Sequence, residues 1–537
     1  MFRPEVVSRS FSAVLFLLVA LPAGAQSFRV QCPTFTPAHP DPTAAGTQAA
    51  IAAAGPGATY ASVFPGAIRC QQISGGDGYA TMGDGTQTYL FGFGPLSGLA
   101  AIYAGQPGTQ AAAAFNQASP TGFGTPSNLV GMPDATFAFN GAIGQVPDPG
   151  STPPGLLDGH VDPRPIMDVG VMNANQPAPM MAIDEDDEFF LTLTNVGMIM
   201  RPDLFEQHTV HFHGYPNASS FYDGVPDASV AINIGGSFSY YYLAPDAGTY
   251  FWHCHISPPE HLQMGMVGQL YVRPRQNRVP VGSSLYAGLS AQQVDLRTRS
   301  DCVHDVLCPS PLPSADTGAT RAATGGYAYN DGDGSTHYDV EYPLQIHGFD
   351  PNFHFVGMTF NPEAFVDMKD KYFLLNGRSY PDTVGGASTA AANAPGPMQT
   401  MSSDGTMHSS QPLPSVINIP RGGRALLRIS DLSVTEYATL ATLGVPMRVI
   451  AQNARLLRDQ QGHDLTYLTN SVTLAGGESI DVLLDASDLG RFTAGQKFFL
   501  YTPNLDHLSN DAENFGGLMT EVNICTSVDP VTKACTL

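Results

Sequence analysis

Positive charge is scarce in this chain of 537 residues. It has 24 lysines and arginines against 47 aspartates and glutamates, which gives a formal net charge of −23 at pH 7. Because phosphates and anionic headgroups repel such a chain, the balance excludes nucleic acid and anionic membrane surfaces as partners. The acidic surface fits the attraction of cations or cationic substrates, and it also fits a solvated surface that only aids solubility.

Long apolar runs are missing after the first residues. The segment 11–22 is apolar, follows Arg3 and Arg9, and precedes the small residues 23–25. This pattern predicts a signal peptide over 1–25 and a secreted, periplasmic or cell-surface protein. No twin-arginine pair precedes the apolar run, which favours general secretion. We expect no transmembrane anchor, because no apolar run is long enough to span a bilayer.

Charged residues are few as well, at 13%, while glycine (56) and proline (44) are abundant. This composition is typical of short strands joined by many turns. Strand-like stretches at 88–93, 167–172, 188–194 and 248–253, with turn signals about every ten residues, indicate an antiparallel β-sandwich. A second β-rich unit follows. The sequence therefore predicts an all-β fold of two sandwiches in tandem.

The mature chain of about 510 residues allows about two to four domains. We expect the following division: a signal peptide at 1–25, an irregular lead-in at 26–80, a first sandwich at 81–274 with a long insertion at about 104–165, a linker at 275–337, and a second sandwich at 338–537.

Seven cysteines are present, and one of them differs from the rest. Cys254 lies between two histidines. The other six form an even set, which predicts three disulfides in an oxidising compartment. Pairing of neighbours would join residues 32 and 70, 302 and 308, and 525 and 535, which is one of many possible connectivities.

Six of the fifteen histidines fall in two short stretches, 208–213 and 253–261. Two imidazoles and a thiolate with a weak axial thioether are the ligands of a blue-copper site. One set of residues offers these groups: His208, Cys254, His261 and Met266. All four ligand types occur in this order, which favours a metal site over a buried cysteine among structural histidines.

Two His-x-His pairs lie in the same stretches, His211 with His213 and His253 with His255. Alternate residues of a strand point to one side, so two such strands can surround a metal with four imidazoles. Zinc accepts these ligands too. The thiolate of Cys254 favours copper, because it links the two groups covalently and gives electrons a path through the backbone.

The residues around these motifs resemble the multicopper oxidase family, which is laccase-like and built of cupredoxin domains. The resemblance covers residues 166–274 and rests on His-Thr-Val-His-Phe-His-Gly from 208, Tyr-Asp-Gly-Val-Pro from 222, Gly-Thr-Tyr-Phe-Trp-His-Cys-His from 248 and Met-Gly-Met-Val-Gly-Gln from 264. Weaker likeness occurs at 376–383 and 476–482. The resemblance implies tandem cupredoxin-like Greek-key sandwiches and a copper cofactor.

The resemblance also implies a role for each motif residue. The type 1 copper ligands would be His208, Cys254, His261 and Met266. The type 2 and type 3 coppers would take His211 and His213, and the type 3 pair would take His253 and His255. Asp223 matches the residue that delivers protons to bound oxygen, although an aspartate before glycine is also an ordinary turn residue.

Two departures from the family matter. The segment between Cys254 and His261 is longer than usual and contains Pro258 and Pro259. The second sandwich has no His-x-His, and its scattered histidines are expected at the surface or in the core: His347, His354, His408, His463 and His507. The chain thus supplies half of the family's histidines. A partner chain could complete the cluster, a smaller copper centre could form, or only the type 1 copper could remain.

The leading hypothesis is a secreted copper oxidoreductase that takes single electrons from a phenolic or metal-ion donor and reduces oxygen. Glu260 could orient the donor, or it could be an ordinary exposed glutamate. An electron-transfer or copper-handling protein without turnover is the alternative. A nitrite reductase-like enzyme is a minor alternative. His211 argues against it, since such enzymes carry an aspartate at this position.

Overall fold

The computed structural model describes residues 28–119, 139–148, 150–151, 153–214, 219–244, 246–292, 308–359, 364–384, 398–401, 407–410 and 415–537. The helices are α1 (Ala45–Ala53), α2 (Tyr60–Val63), α3 (Leu99–Tyr103), α4 (Ala112–Phe115), α5 (Pro163–Gly170), α6 (Pro258–Met264), α7 (Leu285–Gln292) and α8 (Pro351–Met358). Short 3-10 helices span Ser220–Tyr222, Arg275–Arg278, Phe365–Asp367 and Leu505–His507.

Strands dominate the described chain. They are β1 (Ile68–Thr81), β2 (Gln87–Pro95), β3 (Gln110–Ala111), β4 (Met181–Asp184), β5 (Glu188–Gly197), β6 (His211–Phe212), β7 (Ser237–Leu243), β8 (Gly248–His253), β9 (Val267–Arg273), β10 (Gly326–Tyr327), β11 (His337–Tyr338), β12 (Val340–Phe349), β13 (Tyr372–Leu375), β14 (Met398–Met401), β15 (Met407–Ser410), β16 (Ile417–Pro420), β17 (Arg424–Asp431), β18 (Ala438–Thr442), β19 (Met447–Gln452), β20 (Arg455–Leu456), β21 (Tyr467–Thr469), β22 (Ser471–Leu474), β23 (Ser479–Asp485), β24 (Lys497–Tyr501), β25 (Met519–Cys525), β26 (Ser527–Val528) and β27 (Cys535–Thr536).

Two sheets pack face to face in the first half of the chain. One has the order β2-β1-β5-β7, with β3 added beside β1, and the other has the order β4-β9-β8-β6. A single apolar core joins them, with Leu191 and Tyr240 from the first sheet and Trp252 and Leu270 from the second. The metal-ligand strands β6 and β8 therefore lie in a sheet whose inner face is fully packed.

Two further sheets form a second sandwich. Their orders are β13-β12-β17-β23-β19-β20, with β21 beside β19, and β16-β25-β24-β18-β22. Its core is separate and contains Leu344, Leu427 and Val482 from one sheet and Leu440 and Val522 from the other. The predicted all-β fold with two sandwiches in tandem is confirmed. The exact boundaries at 274 and 338 stay predictions.

A buried ion pair network joins the two sandwiches. Arg273 on β9 donates to a carboxylate oxygen of Glu341 on β12 at 2.8 Å, and Arg428 on β17 donates to the other oxygen at 3.2 Å. The two arginines hold the pKa of Glu341 down at about 2 although burial favours its neutral form. A buried charge of this kind requires its partners, so the network fixes how the sandwiches meet.

The region 26–80 is not wholly irregular, contrary to the prediction. It contains α1, α2 and most of β1, a strand of 14 residues that pairs with both β2 and β5. Its glycine-rich centre resembles a turn in sequence. In the structure a Cβ on Gly75 would lie 2.6 Å from the His208 ring, and one on Gly78 would lie 2.3 Å from a backbone oxygen. These glycines admit close neighbours within a strand.

The strand predicted at 167–172 is also wrong, because this segment belongs mainly to helix α5. Asp162 caps the helix by accepting a hydrogen bond from the backbone N–H of Arg164 at 2.9 Å, and Pro163 occupies the first helical position. Both are helix-start signals that outweigh the run of apolar residues after them.

The lead-in and the insertion build a smaller apolar core against the first sandwich. Phe28, Cys70, Phe115 and Val161 are among its buried members. Two of the predicted disulfides are present, Cys32–Cys70 and Cys525–Cys535. The third prediction involves residue 302, which lies outside the described residues, as does the predicted signal peptide. Within the described ranges, no helix combines the length and the apolar character that crossing a membrane requires.

Candidate metal centre

The first group of ligands is fully buried and converges on one point. Atoms of His208, Cys254 and His261 that could bind a metal lie within 4.8 Å of one another. Cys254 follows β8 directly, and its Sγ lies 3.3 Å from Nδ1 of His261 on helix α6. His208 exchanges two backbone hydrogen bonds with Ile232, at 3.0 and 3.1 Å, which fix its place beside β6.

The polar atoms of this group fit a metal. Both ring nitrogens of His208 are buried, and neither has a hydrogen-bond partner among the described residues. An orphaned buried nitrogen costs free energy unless another group, such as a metal ion, satisfies it. Burial opposes ionisation of Cys254, but His261 and His208 favour the thiolate and hold the pKa of the thiol well below its usual value. The thiolate is the form that binds metals.

Met266 lies against two of the other predicted ligands. Its carbonyl accepts a hydrogen bond from the Cys254 N–H at 3.1 Å, and its own N–H donates to the His261 carbonyl at 2.8 Å. The side chain is fully buried. The backbone therefore brings Met266 to the site, and its axial role stays a prediction.

A second group forms at the paired strands β6 and β8, where His211 lies opposite His253. Ligand atoms of His211, His213 and His253 lie within 4.8 Å of one another. The Nε2 atoms of His213 and His253 are 3.0 Å apart. The ring centroid of His255 is 5.1 Å from that of His211. The structure thus brings together both predicted His-x-His pairs.

Backbone carbonyls orient the histidines of this second group. Nδ1 of His211 lies 2.7 Å from the carbonyl oxygen of Asp223, and Nδ1 of His253 lies 2.7 Å from that of Cys254. An N–H donated there leaves the Nε2 lone pair for a metal. Burial, aided by the neighbouring imidazoles, lowers the pKa of His253 to about 3, so it is neutral at pH 7.

Asp223 contacts the second group chiefly through its backbone. Its carboxylate lies 3.5 Å from Nδ1 of His211, farther than its carbonyl oxygen. Its predicted role in proton delivery stays a prediction.

A cavity of about 520 Å³ opens on the second group. Its first wall includes His213, His253 and His255, and its opposite wall is formed by segments 433–437 and 475–477 of the second sandwich. A Cβ on Gly477 would lie 3.1 Å from the His213 ring, so this backbone packs directly on the imidazole. Glu436 lines the cavity and accepts a hydrogen bond from Nε2 of His507 at 2.7 Å.

Four of the scattered histidines of the second sandwich have described side chains, and each is buried or at the surface, as predicted. His347, His354 and His507 are buried, whereas His463 is exposed. His347 and His354 contact the backbone of helix α6, at Leu262 and Gln263. Among the described residues, the groups of side chains that could hold a metal are the two groups of the first sandwich. The side chain of His408 lies outside the description.

Glu206 is a residue that the sequence analysis missed. Its Oε2 lies 3.5 Å from Nε2 of His261, on the side of the ring away from Cys254. Its position two residues before His208 could have indicated this role, since residues close in sequence to a ligand also lie near the site.

Comparison with known proteins agrees with this geometry. A family model described as multicopper oxidase matches residues 159–277. This segment is therefore similar to multicopper oxidase domains. The matched segment holds both ligand groups, and copper is the metal that the multicopper oxidase family uses. Its two sets of converging imidazole and thiolate atoms could hold copper.

The relatives match about a quarter of the chain. Laccase abr2 of Aspergillus fumigatus is 30% identical over 128 residues, 24% of this chain and 20% of the relative. Multicopper oxidase MCE of Talaromyces pinophilus is 32% identical over 125 residues, 23% of this chain and 19% of the relative. The chain thus spans about a fifth of the length of these relatives. The crystal structure of a blue copper oxidase from Nitrosomonas europaea has a TM-score of 0.45 and 16% identity, over 85% of each chain.

Proposed function

We propose that this chain is a secreted copper-dependent oxidoreductase that oxidises a phenolic or metal-ion donor by single electrons and passes them to oxygen. One observation carries the proposal: Cys254 belongs to the first ligand group, while the residue before it, His253, belongs to the second. Bound copper would supply the one-electron chemistry. The residues that would hold it at the first group are His208, Cys254, His261 and Met266.

The donor side of the proposal rests on the surroundings of His261. Its Nδ1 faces Cys254 and its Nε2 faces Glu206, whose side chain is 25% exposed. Glu206 can therefore attract a cationic donor or accept a hydrogen bond from a hydroxyl group at the outer edge of this ligand. The neighbouring Phe205 is 82% exposed and offers a ring for apolar contact. These contacts favour Glu206 over Glu260 as the residue that orients the donor.

The connection between the groups is short. Cys254 is joined to His253 and His255 by single peptide units, and the Nδ1 of His253 lies 2.7 Å from the Cys254 carbonyl oxygen. An electron that leaves the sulfur can reach either imidazole through covalent bonds and one hydrogen bond. This route supports transfer between the groups rather than two independent sites.

The oxygen side rests on the cavity at His213, His253 and His255. Segments 433–437 and 475–477 of the same chain form its opposite wall, and the backbone at Gly477 packs on His213. This backbone lies on the Nδ1 side of His213, while its Nε2 faces Nε2 of His253 at 3.0 Å and is the nitrogen placed to bind a metal. We therefore favour a small copper centre held by His211, His213, His253 and His255, open to a cavity large enough for oxygen.

Secretion is supported by covalent structure. The Cys32–Cys70 and Cys525–Cys535 disulfides fit an oxidising compartment, in agreement with the signal peptide predicted at 1–25.

Copper loading of the purified protein tests the proposal. We expect a blue absorption band, more than one copper per chain, and oxygen uptake with a phenolic donor. The matched control is Cys254→Ser, which keeps the second group but should lose the blue band and oxygen uptake. A single blue copper with no oxygen uptake would instead support the electron-carrier alternative.

A further inference from the structure

Helix α6, which carries His261, is held by side chains of the second sandwich. Nε2 of His347 lies 3.0 Å from the carbonyl oxygen of Leu262, and Nε2 of His354 lies 2.9 Å from that of Gln263. Carbonyls in the last turn of a helix lack the regular helical partner. The Leu262 carbonyl also accepts a hydrogen bond from the Gly265 N–H at 3.1 Å. Two histidines that are not in either ligand group therefore stabilise the end of the helix.

Asp370 makes a third contact with helix α6 and connects the helix to Thr435. Its Oδ1 accepts a hydrogen bond from Nε2 of Gln263 at 2.8 Å, and its Oδ2 accepts one from the hydroxyl of Thr435. Gln263 belongs to α6 and is fully buried. Thr435 belongs to the wall of the cavity beside the second histidine group. One carboxyl group thus joins the ligand helix of the first group to the cavity wall of the second.

The position of Asp370 is well defined. The residue is 5% exposed. A Cβ on Gly348 would overlap its Oδ2 at 1.9 Å, so the strand β12 accommodates this carboxyl group only with glycine at that point. The backbone N–H of Asp350 also donates to Oε1 of Gln263 at 3.3 Å, which fixes the amide that contacts Asp370.

We propose that Asp370 is a positioning residue that connects the cavity wall at Thr435 to His261 through Gln263 and helix α6. A change at Thr435, or a ligand that displaces it, then alters the geometry of the first metal group although no ligand residue is touched. The copper readout of this inference rests on the proposed function, whereas the effect on helix α6 in the metal-free protein does not.

Three variants test the connection. Thr435→Val removes the hydroxyl that holds Oδ2, and Asp370→Ala removes both contacts. Asp370→Asn is the conservative variant, since its amide can accept from Gln263 and donate to Thr435. The matched control is Thr520→Val, which removes a buried hydroxyl bonded to the Ser415 carbonyl at 2.8 Å, within β25.

Two readouts separate positioning from general stability. In the copper-loaded full-length protein, Thr435→Val and Asp370→Ala should weaken copper binding at the blue site by about tenfold or more and shift its absorption and spin-resonance spectra, as loss of an outer partner of a ligand does. Asp370→Asn and Thr520→Val should keep the wild-type spectra. In the metal-free protein, hydrogen exchange over 258–264 should accelerate in Thr435→Val and not in Thr520→Val.

The outcomes are distinct. If Thr435→Val matches Thr520→Val in both readouts, the connection through Asp370 does not exist. If the wild-type protein shows no blue band, the proposed function fails, while hydrogen exchange still decides the positioning role. If Asp370→Ala does not fold, the comparison of Thr435→Val with Asp370→Asn in the same two readouts still tests the connection.

Discussion

The Nε2 atom of His261 lies 3.5 Å from a carboxylate oxygen of Glu206, while the Nδ1 atom of the same ring faces Cys254 at 3.3 Å. This carboxylate is the charged group nearest the outer edge of a proposed copper ligand. We expect Glu206→Gln to raise the KM for a cationic or ferrous donor by up to about tenfold, because local charge raises the association rate of ions. Steady-state kinetics at low salt measure this effect.

The control for that variant is a neutral phenolic donor in the same buffer. Its KM should change little, and added salt should reduce the difference between wild type and Glu206→Gln. Equal losses for both donors would mean that Glu206 acts on the copper site itself rather than on the donor.

Cys254→Ser should abolish the blue absorption band while copper at the second group remains. Only a thiolate gives the intense colour of such a site, and serine cannot replace it. Visible and spin-resonance spectra of the copper-loaded protein measure the change. A blue band that persists in this variant would show that the assigned ligand is wrong.

His213→Ala should lower the copper content per chain and leave the blue band in place. Its Nε2 lies 3.0 Å from that of His253, and it belongs to the second group alone. Metal analysis beside the visible spectrum measures both quantities. His463→Ala is the control, since His463 is exposed and belongs to neither group. Loss of the blue band in His213→Ala would mean that the two groups form one interdependent site.

Glu341→Gln should destabilise the metal-free protein by about 3–5 kcal/mol at pH 7, because it leaves Arg273 and Arg428 without their buried partner. The pKa of Glu341 is depressed to about 2 from 4.5, so its contribution is present above about pH 4.5 and is lost as the pH falls through about 2. Denaturant unfolding at several pH values should show the two proteins converging on acidification.

A surface pair provides the control for Glu341. Lys497 donates to Glu521 at 2.8 Å, and Glu521→Gln should cost less than about 1 kcal/mol. An equal effect of the two substitutions would mean that the interface network adds no more than a surface pair.

The two disulfides should differ in their contribution to stability. Cys32–Cys70 closes a separation of 38 residues and Cys525–Cys535 one of 10. In the chain-entropy description, removing the first costs about 4 kcal/mol and removing the second about 3 kcal/mol. Double serine variants compared by denaturant unfolding measure the difference, and the reverse order would show that native contacts outweigh loop length.

Local sequence indicated which side chains converge in the two groups, and their role as metal ligands stays a prediction. His-x-His on a strand places two imidazoles on one side, and β6 and β8 do pair at His211 and His253. The all-β fold followed from short strands and frequent turns. Helix α6 was not predicted, although Pro258 and Pro259 occupy positions that favour the first turn of a helix.

Contacts between distant parts of the chain could not be predicted in the same way. Glu206 carries no motif, and its role depends on how the chain folds back on His261. His347, His354 and Asp370 are separated from α6 by about a hundred residues, so only the packing of the two sandwiches reveals their contacts. The strand β1 was not predicted, because its glycines leave space for side chains such as His208 that are remote in sequence.

The ligands of both groups lie between residues 208 and 266, whereas the far wall of the cavity is formed by 433–437 and 475–477. The candidate ligands and the far wall of the cavity are therefore encoded in separate parts of one polypeptide. Mutation or directed selection confined to 433–437 can change which small molecules reach the histidines while every ligand is retained. Such a division lets access to the histidines change at positions of this wall other than Thr435, whose hydroxyl is bonded to Asp370 and so is connected to the first group.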